Sequence, residues 1–267
     1  LQDDKNLQQD LTLAELRVRL ETSYQLSDYA FSFKGDGLYD EVLNEWVMDI
    51  RDLSVATSFG DNTDIKVGRQ VLTWGTGELL FLNDLFAKDW QAFFSGREDE
   101  YLKAASNSLK ISYYPDWLTG VNLDLVYSPE FTPDNYLNGE RFSFNGSNNL
   151  ATGFTADEPN DDEWSARVYG SLSQLEWAMY GYVGYSKSPE AMNTSTMQPA
   201  FYRMNAWGAS LSQPIAGGLA NAEVSYYHSK DDAAGTDPLI PNSQWRGLVG
   251  YEHELVSQVT LSGQYYI

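Results

Sequence analysis

The stretch LTLAELRVRLETSYQ, Leu11 to Gln25, alternates residue by residue. Ala14, Leu16, Val18, Leu20, Thr22 and Tyr24 fall on one face, and Glu15, Arg17, Arg19, Glu21, Ser23 and Gln25 on the other. A period of two separates the faces of a β-strand, whereas a helix with a charged face would space its apolar residues three or four apart. A strand with one continuous apolar face and one charged face needs an apolar medium on one side and water on the other. The charged face, Glu15, Arg17, Arg19 and Glu21, is the candidate lumen lining.

The same alternation recurs along the chain. Leu53, Val55, Thr57 and Phe59 oppose Asp52, Ser54, Ala56 and Ser58, and Val121, Leu123, Leu125 and Tyr127 oppose Asn122, Asp124 and Ser128. Val259, Leu261, Gly263 and Tyr265 end the series. The connections alternate too. Short ones are expected at Ser27-Asp28, Gly60–Asn62, Pro115-Asp116, Ser173-Gln174, Pro214–Gly218 and Glu254–Val256. Longer ones are expected from Gly35 to Trp46, at 73–106, from Pro129 to Glu163, from Ser186 to Pro199 and at 230–243. Outer-membrane barrels have short periplasmic turns and longer external loops, and a soluble sandwich has no reason to gather its long loops at one end. Aromatic residues near segment ends (Tyr24, Tyr29, Tyr113, Trp117, Tyr127, Trp164, Tyr185, Trp245, Tyr265) suit interfacial girdles. The pattern predicts an all-β fold: a transmembrane antiparallel up-and-down β-barrel with 12 visible strands, in one domain spanning 1–267. The first segment would descend from the outside and the last would end there. Bacterial barrels start and end on the periplasmic side, so the expectation is an internal portion of a larger barrel of 14 or more strands.

Composition agrees. The chain has 267 residues, a net charge of −21, 18 Tyr, 8 Trp and no cysteine. Aromatic side chains pack on pleated surfaces and the 21 glycines serve turns. Zero cysteine excludes a disulfide scaffold, a thiolate zinc site and covalent c-type haem in this chain. The acidic balance argues against nucleic-acid binding, since phosphates demand Lys and Arg. No apolar run reaches the roughly 18 residues of a transmembrane helix, which says nothing against a barrel crossing on strands of about 9–11 residues.

One connection breaks the monotony: GRQVLTWGTGELLFLNDLFAKDWQAFFSGREDEYLKAASN, residues 68–107. Loops beyond about 12–15 residues are usually functional or disordered, and the Leu, Phe and Trp content argues for order. The reading is a loop at 73–106 folded into the mouth or lumen of the barrel. Leu79, Leu80, Phe81, Leu85, Phe86, Trp90, Phe93 and Phe94 are expected to form a short amphipathic helix that packs the loop. The run Gly68 to Gly75 (G-R-Q-V-L-T-W-G), followed by Leu82-Asn83-Asp84-Leu85-Phe86, resembles the strand-end signature of a little-characterised family of proteobacterial outer-membrane porin-like barrels. The resemblance implies a large barrel in the outer membrane of a Gram-negative bacterium, moving small solutes, and it transfers no catalytic residue.

The candidate constriction comprises Arg69, Trp74, Asn83, Asp84, Lys88, Asp89 and Arg97. Mixed charges on a loop in a lumen create a transverse field that filters ions; the plainer role is to tie the loop to the wall through Arg17, Arg19 and Glu21. Arg69 shares the face of Ile65 and Val67, so it belongs at the outer rim unless a bulge turns it inward. Asp157-Glu158, Asp161-Asp162-Glu163 and Asp231-Asp232 are read as solvated loop charge, with no EF-hand spacing for Ca²⁺. No metal or cofactor is expected. His228 and His253 lie on different segments, and no nucleophile elbow, zincin or P-loop motif occurs, so no catalytic residue is assigned and no enzyme is expected. The function read from sequence is a passive channel, with outer-membrane lipid and a small-molecule or ionic solute as partners. A homo-oligomer fits the class, though no segment displays an interface. The alternatives are a barrel that sheathes a partner such as a multihaem cytochrome, and a soluble all-β binding module.

Overall fold

The computed structural model describes residues 13–77, 80–139, 141–142 and 155–267. Twelve long antiparallel strands form one meandering sheet: β1 (Glu15–Leu26), β2 (Tyr29–Asp40), β3 (Glu45–Phe59), β4 (Thr63–Val71), β5 (Ala105–Tyr113), β6 (Val121–Ser128), β7 (Glu163–Leu172), β8 (Leu175–Tyr185), β11 (Arg203–Ile215), β12 (Gly218–Ser229), β13 (Gln244–Val256) and β14 (Val259–Tyr266). Between β8 and β11 a small hairpin, β9 (Ala191–Met192) with β10 (Pro199–Ala200), lies in the connecting loop. Each long strand pairs with its sequence neighbour, the up-and-down topology expected. Among the described residues β1 and β14 are the sheet's two edges and do not pair with each other.

The sheet is apolar outside and polar inside. On β1, Leu16 and Val18 are each 69% exposed on the face that alternates with the charged one. The most enclosed side chains of the concave side include Asp36, 1% exposed, and Asp124, 0% exposed. A soluble protein with this arrangement would hold its Leu and Val in water and its carboxylates in its core. In a bilayer the arrangement is the stable one, because lipid solvates the outer face and the paired strands satisfy one another's backbone groups. No helix among the described residues is long and apolar enough to cross a membrane; the crossing is made by strands.

Aromatic clusters band the outer face at the long-loop end. Trp46 packs on Tyr39, Trp164 on Tyr127, and Tyr226 lies between Trp207 and Trp245. Tyr24, Tyr29, Phe59 and Trp117 are exposed near the opposite turns. Such girdles anchor a barrel at the two interfaces. Tyr185 does not join them; its ring packs on Phe131 within the loop layer and its hydroxyl donates to Asp161.

Two boundaries differ from the sequence reading. The expected loop from Gly35 to Trp46 is mostly strand: β2 continues to Asp40 and the turn is 41–44. The extra residue of the bulge is Arg51 on β3, since Lys34 faces Asp52 and Gly35 faces Ile50, so β2 itself keeps its period. It escapes a period-two reading because Gly35 and Gly37 take apolar places and Leu38 falls on the charged face. Asp40 then closes the turn by accepting the amides of Val42 and Leu43 at 3.0 and 3.2 Å. The connection at 41–44 is therefore shorter than the one at 114–120, and the alternation of short and long loops is not strict. The long connections at 72–104, 129–162, 186–202 and 230–243 do all lie at one end of the sheet.

The orientation of the outer face has a direct test. Val224, in the middle of β12, points outward opposite Gly247 and Ala209. Val224→Arg should destabilise the barrel by about 2–4 kcal/mol in reversible folding into phospholipid vesicles. A loss under about 0.5 kcal/mol, the usual scale for a solvated surface position, would show that this face does not meet lipid.

Candidate functional site: a strap across the lumen

The connection 72–104 crosses the concave side of the sheet and is bonded to strands on both sides of it. It leaves β4 through Leu72, Thr73 and Trp74. Trp74 packs edge-on against Phe86 at 4.9 Å and lies 6.2 Å from Tyr180 of β8, with Leu72 and Val126 completing a buried cluster. The chain then turns through Gly75, Thr76 and Gly77 onto Glu223 of β12. This carboxylate, 5% exposed, accepts from the Thr76 and Gly77 amides, from the Thr76 hydroxyl at 2.9 Å and from Asn83 Nδ2 at 2.8 Å. Gly75 has φ +82°, and a Cβ there would sit 3.1 Å from Glu223 Oε1. Tyr227, two residues along the same face of β12, donates to the Leu82 carbonyl at 2.7 Å. Gly208 of β11 lets the strap come this close, since a Cβ there would overlap Asn83 Oδ1.

The strap's middle is held by charge. Asp84 accepts from Thr73 Oγ1 at 2.8 Å and Lys103 Nζ at 2.7 Å, and pairs with Lys88 at 3.1 Å. Lys88 is 3% exposed and also donates to the Phe86 carbonyl at 2.6 Å. Burial lowers its pKa, with Asp84 acting in the other direction. The strap therefore closes on itself through a buried ion pair, which is stable when every proton has a partner. Asp134, from the loop 129–162, accepts from the Lys88 amide at 2.7 Å, Trp90 Nε1 at 3.0 Å and Ser188 Oγ at 2.7 Å, which joins three loops at one carboxylate.

The helix is shorter than expected. α1 covers Trp90–Ser95, capped by Asp89, whose Oδ1 accepts the Ala92 amide at 2.7 Å, and ended by Gly96 at φ 76°. Burial raises the Asp89 pKa, against the Ala92 and Asn135 hydrogen bonds. Leu80, Phe81, Leu85 and Phe86 are not helical, and Leu79 lies outside the described residues. The side chains of Asp84 and Lys88 bond the strap's own backbone and charges, a competitor to helix that apolar spacing does not reveal. Phe94 stays about half exposed, with edge-on ring contacts to Phe93 and Phe142.

Beyond α1 the strap meets the opposite wall. Arg97 donates to Glu15 at 2.7 and 3.1 Å. A short 3-10 turn, Asp99–Leu102, brings Tyr101 onto β1, β2 and β3. Its hydroxyl donates to Asp36 at 2.8 Å and receives Arg19, while the guanidinium of Arg17 lies 4.1 Å from its ring centre. Arg51 donates to the Glu100 and Lys103 carbonyls at 2.6 and 2.8 Å. Glu100 pairs with Lys34 at 2.9 Å and Arg19 at 2.5 Å. Glu15, Arg17 and Arg19 thus do tie the strap to the wall; Glu21 makes no ion pair among the described residues.

Arg69 stays on the outward parity, opposite Leu53 and Asn107, with no bulge in the β4 register. It sits at the rim, half-buried, and donates from Nε to the Ile50 carbonyl, beyond the point where β3 and β4 stop pairing. It also borders a cavity of about 620 Å³ between the strap and β1–β4, together with Arg17, Arg51, Arg97 and Asp134. The structure thus brings Trp74, Asn83, Asp84, Lys88, Asp89 and Arg97 together in one strap and leaves Arg69 at its edge. The sequence reading missed Glu223, Tyr227, Asp36, Arg51 and Asp134. Glu223 had a signal: it is the one acidic residue within LANAEVSYY, on a strand otherwise small or aromatic. Glu163, read as loop charge, begins β7 and is buried, holding Lys187 at 2.6 Å. Among the described residues no group of carboxylates or histidines is arranged to hold a metal.

The motif around Gly68 has a physical account. Gly68 adopts φ +127°, and a Cβ there would collide with the Leu53 carbonyl. Gln70 is buried and donates to the Ser108 carbonyl at 3.2 Å. Trp74 and Gly75 start the strap.

Two outcomes test this geometry. Glu223→Ala leaves two amides and an Asn83 amide group without their acceptor, and should cost about 2–5 kcal/mol. It should also make residues 75–83 open to protease while the barrel remains folded. The Glu100 tie has a pH signature. Hydrogen bonding to Lys34, and then to Arg19, holds the Glu100 carboxyl below its ordinary 4.5. Its contribution is full above that value and is lost as pH falls through the lowered one. Distances between spin labels on the strap and β1 should stay constant from pH 7 to 5 and broaden only in stronger acid.

No family model matches the chain, and no curated protein is similar to it. Solved structures are. Outer-membrane-expressed OmpT of Vibrio cholerae is 12% identical, with a TM-score of 0.50, over 94% of this chain and 66% of that one. OccK2 (OpdF) of Pseudomonas aeruginosa in complex with glucuronate is 14% identical, with a TM-score of 0.45, over 94% of this chain and 58% of that one. A mutant of the Rh. blastica porin is 14% identical with a TM-score of 0.38, over 94% and 84%. This chain spans less than two thirds of the length of the first two. At such identity the likeness is one of fold: with the lipid-facing strands and girdles above, it is the fold of a Gram-negative outer-membrane β-barrel.

Proposed function

We propose that this chain forms the wall and constriction of a porin-like channel for passive diffusion of small solutes across the outer membrane. The carrying observation is the strap: a polar-lined concavity crossed by a segment bonded to β12 on one side and to β1–β3 on the other. A segment so anchored narrows a passage without sealing every part of it, and a cavity of about 620 Å³ lies beside it. The G-R-Q-x-x-x-W-G resemblance, with each of Gly68, Gln70, Trp74 and Gly75 in a structural role, supports placing it with the porin-like barrels. Among the described residues the edges β1 and β14 are unpaired, and because lipid cannot satisfy a free edge, we infer that the working channel covers or closes both. A strap across the concavity leaves little room for a sheathed partner protein, which disfavours the scaffold reading.

Selectivity follows from the inner wall. Lys34, Lys66, Lys110 and Arg167 form a belt around β2–β7, interleaved with Asp52 and Asp124: Lys66 to Asp52 at 2.7 Å, Lys110 to Asp124 at 3.5 Å and Arg167 to Asp124 at 2.6 Å. Lys66 and Lys110 stand directly opposite each other. With Glu100 on Lys34 and Asp64 level with Asp124 across Ser112, the four cations meet four carboxylates, so the belt sets up a transverse field of mixed sign rather than a ring of one charge.

The test is single-channel conductance of the protein in a planar bilayer, with and without replacement of residues 76–102 by a short flexible linker. Conductance should be small and rise several-fold on replacement, and a salt gradient should give only a small reversal potential, as a charge-balanced belt predicts. Absence of conductance in both forms would reject the channel.

A further inference from the structure

On the far side of the strap from the large cavity lies a second one, of about 210 Å³, between the strap and the loops and strands from β8 to β13. Phe81, Phe86 and Trp90 of the strap and Tyr202 and Tyr227 of the wall line it. An apolar cavity of roughly 150 Å³ takes a benzene ring, so this one has room for a ring and a substituent.

Its charged groups divide into two kinds. Four are already occupied. Asp84 is held by Thr73, Lys103 and Lys88, and Asp134 by the Lys88 amide, Trp90 and Ser188. Lys88 binds Asp84 and the Phe86 carbonyl, and Lys187 binds Glu163. Two are not. Arg246 of β13 lies flat on Tyr227, its guanidinium carbon 4.1 Å from the ring centre, and its Nε is shielded from solvent with no hydrogen-bond partner among the described residues. Glu190, in the loop before β9, borders the same cavity and makes no side-chain hydrogen bond or ion pair within 4.0 Å among the described residues. Protein around it pushes its carboxyl above the ordinary value, with Arg246 acting in the other direction. A shielded guanidinium nitrogen without an acceptor is costly, and a planar donor fork stacked on a tyrosine presents its remaining edge for bidentate carboxylate binding.

We propose that this cavity is a subsite for a small aromatic carboxylate bearing a second hydrogen-bond donor, its carboxylate on Arg246 and its donor on Glu190, with the ring among Phe81, Trp90 and Tyr202. The pairing matches the cavity's contents: aromatic walls for the ring, a guanidinium that among the described residues meets Tyr227 but no carboxylate within 4.0 Å, and a Glu190 carboxyl with no donor there. The proposal deepens the channel reading by naming a solute class, and it is tested by binding, so the two can fail separately.

The experiment titrates the folded protein in detergent micelles with 4-hydroxybenzoate, benzoate and cyclohexanecarboxylate by calorimetry. Saturable binding in the order 4-hydroxybenzoate, benzoate, cyclohexanecarboxylate is expected. Arg246→Gln should weaken 4-hydroxybenzoate at least tenfold, and Arg246→Lys by less, with the β-barrel circular dichroism unchanged. Glu190→Ala should make 4-hydroxybenzoate and benzoate bind alike while leaving benzoate affinity as in the parent. No saturable binding by the parent protein, or binding indifferent to both the Arg246 and Glu190 substitutions, would overturn the subsite. A protein that conducts in bilayers yet binds none of these acids would overturn it and leave the channel standing.

Discussion

The carboxylate of Glu223 is the interaction on which the interior depends. It projects from the inner face of β12, shielded from bulk water, where an unpaired charge would be untenable. The strap supplies its donors: two backbone amides, a hydroxyl and the Asn83 amide. Those amides in turn belong to a tight Gly75–Gly77 turn that would otherwise leave them unsatisfied inside the barrel. Each side of the contact removes the other's penalty, so the strap's first half has one position. From that position follow the approach of Asn83 to Gly208, the seat of Leu82 under Tyr227 and the direction in which the chain runs back toward β1.

A barrel in lipid cannot use a buried apolar core as its main source of order, because its Leu and Val side chains are on the outside. The interior is organised by hydrogen bonds and ion pairs, with small apolar clusters such as Leu72, Trp74, Phe86 and Val126 between them. Carboxylates act as joints: Asp36 gathers Arg17, Arg19 and Tyr101, Asp134 gathers three loops, and Asp124 gathers Ser112, Lys110 and Arg167. Low local dielectric strengthens each such contact and raises the cost of breaking it. The acidic residues of the chain are therefore not all solvated loop charge. Those whose partners are complete are structural; Glu190, with no side-chain hydrogen bond or ion pair among the described residues, and Arg246, held there by Tyr227 and by no carboxylate, stand out against them.

The sequence carried the wall. Alternation in β1 assigned Leu16, Val18 and Leu20 to lipid and Glu15, Arg17 and Arg19 to the lumen, because a strand separates its faces with a period of two whatever its neighbours are. It carried the sense of the loops and the singularity of residues 72–104 for the same reason: both are properties of local pattern. It lost β2 beyond Lys34, where two glycines stand in apolar places and Leu38 falls on the charged face, and it overread the strap as helix, since spaced Phe and Leu residues look the same whether they pack a helix or an irregular crossing.

What tertiary structure alone decided is which charges meet. Glu223 lies far along the chain from Thr76, and Asp36 from Tyr101; nothing in the local pattern of either strand points to its partner. Likewise Trp74, Asn83, Asp84 and Arg97 were legible as unusual, but their division into anchor, ion pair and wall contact was not. Faces are set by the backbone geometry of one strand. Contacts across a lumen are set by how twelve strands curl and by where one loop finds acceptors for its amides, and that information exists only once the sheet has curled around the loop.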